Sequence, residues 1–251
     1  MGELSKSQVD KLGERLKKGP LMDEDLRLLD EFRHSFGAAY QTVLGYLRTK
    51  PLPSRGRPEK STQSIVAKLR REKMRLSRMQ DIAGCRVIVP NRFMQNYWVK
   101  SISADFSLGM VKDRRERPSF GYRAVHLIVP IDGKAVEIQV RTELQQLWAE
   151  LSEKAFDVVH PEIKYGGGPS EFRNMLLAWS EIIASYEIWE LARLREASGG
   201  SETTLPMEVF HTAALGVQDG NLSKHRELIK IGLIAIIESL GGMDGLKESR
   251  A

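Results

Sequence analysis

Two short runs rich in β-branched residues, VHLIV at 125–129 and AVEIQV at 135–140, are joined by Pro-Ile-Asp-Gly-Lys. They constrain this chain more than any other stretch. The connection is a turn sequence short enough for an antiparallel hairpin. Along the second run Glu137 and Gln139 fall on one face, and Val136, Ile138 and Val140 on the other, by the two-residue period of a strand. The hairpin therefore commits a carboxylate to a rigid sheet. A third run, CRVIV at 85–89, is bounded by Gly84 and Pro90 and reads as a buried strand.

Around these strands the period is helical. Asp23 is a plausible N-cap for a stretch whose apolar positions Leu26, Leu29, Phe32, Phe36, Val43, Leu44 and Leu47 recur at threes and fours. Residues 51–58 break that pattern with prolines and form a loop carrying Arg55 and Arg57. Ser61 or Thr62 then caps a helix through about Arg71. Further helices are expected over 92–102 and over 143–159, the latter packing Leu147, Trp148 and Leu151 on the sheet. Gly166 to Pro169 punctuates the chain before a long helix over 170–195. A polar linker is expected over 197–204, and a last helix capped by Ser223 and running through Leu240. Helices before and after a small mixed sheet make the class α+β. Three segments are expected: a helical segment at 1–50 packed on the core, the core itself at 51–165, and a helical extension at 166–251.

Composition narrows the functions. A chain of 251 residues with 41% hydrophobic content can bury one good-sized core. The formal charge of +5 favours polyanionic ligands such as nucleotides or RNA without selecting between them. The single cysteine, Cys85, excludes a disulfide framework and a cysteine-rich metal site, and its apolar flanks suit a small core residue. The five histidines are scattered without ligand spacing. No apolar run approaches the roughly 18 residues of a membrane span, and the N-terminus lacks a secretory pattern. A soluble, cytoplasmic protein with no membrane partner is expected.

Several residues could carry chemistry. Asp81 stands just before the 85–89 strand, so it and Glu137 on a neighbouring strand could share Mg²⁺, which takes oxygen ligands and keeps waters and substrate phosphates. Lys60 and Lys68, with Arg57 nearby, flank the start of a helix whose unpaired N–H groups favour an anion. Each has a plain alternative, a turn residue, a solvated strand carboxylate or a solvated basic face. Arg86 lies within an apolar strand and should face a carboxylate or a bound phosphate. In Gly121-Tyr122-Arg-Ala-Val-His126, a tyrosine exposed by a glycine could stack on a base with His126 on the same face. A core tyrosine and a hydrogen-bonded histidine are the plain reading.

In order along the chain, Lys60, Ser64, Ile65 and Lys68 are followed by Asp81, Gly84 and Arg86, then Gly121, Tyr122 and His126, then Glu137, Gln139, Arg141 and Thr142. This series, with Trp148, Ala149, Leu151 and Lys154 after it, resembles the RelA/SpoT-type alarmone synthetase domain over roughly residues 55–165. The resemblance implies a nucleotidyltransferase-like mixed sheet flanked by helices. It also implies transfer of the β,γ-pyrophosphate of ATP to the 3′-hydroxyl of a guanosine nucleotide, with release of AMP. By the same resemblance Asp81 and Glu137 would hold Mg²⁺, with Glu137 also the base. Arg57, Lys60, Ser64, Lys68 and Arg86 would bind ATP. Tyr122, His126, Gln139, Arg114 and Arg115 would serve the acceptor.

The chain departs from the family's pattern at the acceptor. Pro58 holds the place of the family's leading arginine, with Arg57 one position early. The stretch before Gly121 is one residue short and reads Asp113-Arg-Arg115 and Pro118-Ser119 without the family's lysine. Arg114, Arg115 and Arg117 could replace that lysine or grip a longer polyanion. No His-Asp dipeptide is present, as expected for a short synthetase without its own hydrolase. Three acceptor classes stay open: GDP or GTP, adenosine nucleotides, and the 3′-CCA end of tRNA in toxin-type members, whose partners would include an antitoxin or a separate hydrolase. A non-catalytic RNA-binding module is the alternative from another class. The helices after Gly166 could make a homo-oligomer interface, cover the sheet or inhibit the domain.

Overall fold

The computed structural model describes residues 4–197 and 220–248. The chain opens with α1 (Lys6–Lys18), started by a capping box between Ser5 and Gln8 and burying Val9, Leu12 and Leu16. Next come α2 (Asp23–His34) and α3 (Gly37–Arg48). The periodic stretch read as one helix is thus two, separated at Ser35 and Phe36. Asp23 is not the cap: Met22 holds that position, and Asp23, Glu24 and Asp25 fill the first turn, where their charge complements the helix dipole.

The loop expected over 51–58 contains strand β1 (Ser54–Arg57). Ser-Arg-Gly-Arg has no apolar alternation to announce it, and its partner strand makes it a strand. Helix α4 (Thr62–Glu72) is capped by Ser61, whose hydroxyl accepts from the Ser64 N–H at 3.3 Å, and it ends at Lys73 in the left-handed conformation. Strand β2 (Ala83–Val89), α5 (Arg92–Asp105) and the exposed edge strand β3 (Met110–Asp113), which sequence patterning does not signal, follow. Strands β4 (Val125–Ile131) and β5 (Lys134–Thr142) form the expected hairpin. Its two turn residues, Asp132 and Gly133, have φ of 46° and 77°, the handedness that a two-residue turn requires. The sheet order is β1-β2-β5-β4-β3. A five-stranded mixed sheet flanked by helices is the α+β class expected.

The chain divides into two compact units. The first comprises Met1–Val87, Asp105–Val111 and His126–Gln139. Its core includes Leu12, Leu29, Val43, Leu47, Ile65, Leu69, Val87, Leu127 and Ile138, all fully excluded from solvent. Cys85 is buried here as expected, and burial pushes its thiol up to about 11, which leaves it protonated and unreactive.

The second comprises Ile88–Ala104, Lys112–Val125 and Val140–Ala251. Here α6 (Glu143–Val158) starts from a capping box of Thr142 and Gln145. Its Trp148, Leu151 and Ala155 share one apolar cluster with Ile183 and Tyr186 of α7 (Ser170–Ala197) and with Ile229, Leu233 and Leu240 of α8 (Gly220–Glu248). The C-terminal helices thus cover α6, and Ser223 lies inside α8 rather than at its cap. Most of the linker expected over 197–204 lies outside the described residues. Among the described residues no helix is long and apolar enough to cross a membrane.

Candidate active site

One face of the sheet in the first unit collects the residues singled out from sequence. Strands β1 and β2 pair antiparallel with Arg55 opposite Arg86 and Arg57 opposite Gly84. Because side chains alternate, all four positions share a face. On the adjacent strand β5, Glu137 and Gln139 share one as well. Together with Gly56 and Cys85 these residues line a pocket of about 250 Å³. Gly84 is its floor: a Cβ there would stand 2.7 Å from the Glu137 carbonyl oxygen. Like charges directly opposite on a strand pair repel, so the Arg55 and Arg86 pairing favours an anion between the guanidinium groups.

Asp81, two residues before β2, is gripped by two lysines from the segment preceding and within α4. Lys60 Nζ is 2.9 Å from its Oδ2 and Lys68 Nζ is 2.9 Å from its Oδ1. Burial alone would raise the Asp81 pKa, but the two ammonium groups outweigh it and hold the carboxyl down at about 2. Burial likewise lowers the pKa of Lys60, against the pull of Asp81. The backbone fixes this knot. Lys60 N–H donates to the Ile82 carbonyl at 2.8 Å, and the Lys60 carbonyl accepts from Arg33 at 3.1 Å. Arg57 donates to the Asp81 carbonyl at 3.2 Å.

Glu137 is 6% exposed and is held on both oxygens. His126 Nδ1 is 2.7 Å from Oε1, and Gln139 Nε2 donates to Oε2 at 2.7 Å. An ionised carboxylate only accepts, so the facing proton belongs to the imidazole. Burial would raise the Glu137 pKa, yet the His126 and Gln139 bonds lower it below the ordinary value, while the charge of Asp81 pushes the other way. A like-charged pair of this kind suits a divalent cation held by one or two carboxylates with substrate phosphates completing its shell. Among the described residues no group of three or more His, Cys, Asp or Glu is placed where it could hold a metal ion.

The remaining candidates belong to the second unit. Tyr122 is half-buried rather than exposed. Its hydroxyl accepts from Arg141 Nη2 at 2.8 Å, and its ring centroid is 6.5 Å from that of Trp148. The glycine before it makes room for Trp148, since a Cβ on Gly121 would stand 2.7 Å from the indole. Arg115 is tied to Asp113 at 2.5 Å and to Asn96 at 2.5 Å, which makes it a brace of its own loop. Arg114 is half-buried and joins Ala124 through its backbone N–H at 2.9 Å.

Three contributions escaped sequence reasoning. Arg55 enters the pocket only through strand register. Arg33, 27 residues before Lys60, supports the Lys60 backbone. Gln139 turns toward Glu137 as its brace. The i, i+2 spacing of Glu137 and Gln139 was the one available signal for that last contact.

Residues 56–156 match the family described as the region found in RelA/SpoT proteins. A protein of Mycobacterium tuberculosis is 36% identical over 116 residues, 45% of this chain and 42% of its own length. The Arabidopsis thaliana protein named "Probable GTP diphosphokinase, chloroplastic" is 29% identical over 160 residues, 60% of this chain and 22% of that protein. The chain thus spans less than half the length of these curated relatives. The small alarmone synthetase 1 of Bacillus subtilis, in a crystal structure bound to its product pppGpp, superposes with a TM-score of 0.52 at 25% identity, covering 66% of this chain and 93% of that one. Residues 56–156 of this chain thus match the region found in RelA/SpoT proteins, and the chain is similar in fold to the small alarmone synthetase 1 of Bacillus subtilis.

Proposed function

We propose that this protein transfers the β,γ-pyrophosphate of ATP to the 3′-hydroxyl of GDP or GTP in the presence of Mg²⁺, releasing AMP. The observation that carries this reading is the sheet face on which Arg55, Arg57 and Arg86 stand with the ionised Glu137, while Arg57 also donates to the backbone of the ionised Asp81 just ahead of β2. Transfer of this kind is chiefly positioning together with neutralisation of charge building on phosphate oxygens. The guanidinium groups, with Lys60 and Lys68, provide fixed positive charge for the triphosphate. Each ammonium has three donors and can keep Asp81 while taking a phosphate oxygen. Bound by Asp81 and Glu137, Mg²⁺ would neutralise phosphate charge and polarise the reacting oxygens.

In the reaction the 3′-oxygen bonds to the β-phosphorus, the bond from that phosphorus to the α-phosphoryl oxygen breaks, and AMP departs with the electron pair. Glu137 receives the hydroxyl proton. His126 and Gln139 hold the carboxylate in place for that step. Tyr122 is assigned to the acceptor base, by its place in the Gly-Tyr-x-x-x-His motif. The pppGpp bound to the Bacillus subtilis relative supports a guanosine acceptor. Chromatography of unlabelled reactions tests the proposal: AMP should form only when ATP, Mg²⁺ and a guanosine nucleotide are all present. AMP or ADP production that ignores the acceptor would refute it.

A further inference from the structure

The turn ahead of Tyr122 holds Phe120 against the preference of a bulky residue. Phe120 has φ of 53° and Gly121 has φ of 89°, while Ser119 and Tyr122 exchange backbone hydrogen bonds of 3.2 and 3.0 Å across them. A bulky residue seldom adopts that left-handed conformation, which is strained for its side chain. Phe120 is also 55% exposed, so burial of its ring does not explain it. Neighbours must hold the turn.

Those neighbours lie beyond the matched region as well as within it. Ser180 of α7 is 2% exposed, donates from Oγ to the Gly121 carbonyl at 2.6 Å and accepts from Arg123 Nε at 3.0 Å. Its own Cβ would lie 3.3 Å from a Cβ on Gly121, so the glycine is needed for α7 to come this close. Arg123 continues to Glu181 at 2.6 Å and to the Arg115 carbonyl. At the other end, the Phe120 ring occupies the space that a Cβ on Gly166 would need. Both hydrogen bonds of the Ser180 hydroxyl thus go to the segment that carries Tyr122.

We propose that Ser180 is a positioning residue for acceptor recognition. By holding the Gly121 carbonyl it keeps the strained Phe120–Gly121 turn wound and so sets where Tyr122 points. It makes α7, outside the matched region, part of the acceptor machinery. The inference rests on the assignment of Tyr122 to the acceptor base. It predicts a split between substrates, because both hydrogen bonds of the Ser180 hydroxyl go to the Gly121 carbonyl and Arg123 in the segment that carries Tyr122.

Ser180→Ala and Glu181→Gln, each beside wild type, are assayed for KM of GDP, KM of ATP and kcat, and for GDP affinity by calorimetry. Ser180→Ala should raise both KM and Kd for GDP five- to tenfold and leave the KM of ATP within twofold. Glu181, 67% exposed, reaches Ser180's neighbour Arg123 from the surface, and its variant should shift the GDP values two- to threefold in the same direction. Equal changes for both substrates, or unchanged GDP values in both variants, overturn the proposal. A wild-type protein that neither binds nor pyrophosphorylates a guanosine nucleotide overturns the functional reading itself, and the proposal with it. That failure appears in the control and is distinguishable.

Discussion

Gly84 on β2 and Glu137 on β5 approach so closely that a Cβ on the glycine would stand 2.7 Å from the glutamate's carbonyl oxygen. The two motifs that contain them are thus a single structural element. The contact is with backbone on an interior strand and cannot be relieved by a side-chain rotation. Gly84→Ala should therefore destabilise the protein by roughly 1–3 kcal/mol. It should also lower kcat by shifting Glu137. Urea denaturation and initial rates check both, and a variant with wild-type stability and turnover would contradict this packing.

Glu137 has the most exacting role, and its replacement separates chemistry from binding. Glu137→Gln keeps shape and volume while removing the proposed base and one proposed cation ligand. It should lower kcat by about 10²–10⁴-fold with little change in the KM of ATP. Near-normal turnover at saturating Mg²⁺ would end the assignment.

The ion pairs on Asp81 join function to stability. Its carboxyl is held at about 2, below the unfolded value of 3.8. Its stabilising contribution is therefore full above pH 3.8 and is lost as pH falls through about 2. Asp81→Asn leaves two ammonium groups, one of them largely buried, without their counter-charge. It should cost about 3 kcal/mol in urea denaturation at pH 7. Adding Lys60→Met should restore part of that loss without restoring activity. A single variant within 1 kcal/mol of wild type would show that the pairs contribute little.

Arg55 and Arg86 face each other across β1 and β2. Arg55→Ala should raise the KM of ATP about tenfold or more, the worth of one charge-assisted contact. The KM of GDP should stay within twofold. An effect confined to GDP would place the donor elsewhere.

In the second unit, burial pushes Glu190 up to about 7, against the pull of Arg226 at 3.5 Å and with the charges of Glu187 and Glu143 adding to the rise. The folded state then binds more protons than the unfolded state between pH 4.5 and 7, so stability falls as pH rises through that window. The full effect is about 3 kcal/mol. Glu190→Gln should flatten this slope, read as the change in Tm between pH 5 and pH 8. Parallel slopes for the two proteins would contradict it.

The β4–β5 hairpin was legible because its signals are local: alternation of apolar residues, then Asp132-Gly133. The Ser61 cap was legible for similar reasons of spacing and type. Strand β1 was not, because Ser54 to Arg57 owe their conformation to a partner thirty residues away. The same long-range register brings Arg55 into the pocket. Gly121 does not expose Tyr122 but leaves space for Trp148 and Ser180, a long-range demand that its sequence neighbours do not signal. Contacts between α7 and the Gly121 turn span 59 residues in sequence, and no periodicity reports them.

The most direct measurement follows γ-labelled ATP incubated with Mg²⁺ and the purified protein, offering GDP, GTP, ATP alone or deacylated tRNA in separate reactions, with Glu137→Gln alongside. Label should move to GDP or GTP, with one AMP released per transfer, and should stay on ATP in the variant. Label that moves only to tRNA or to an adenosine nucleotide, or that goes nowhere, would contradict a guanosine pyrophosphotransferase.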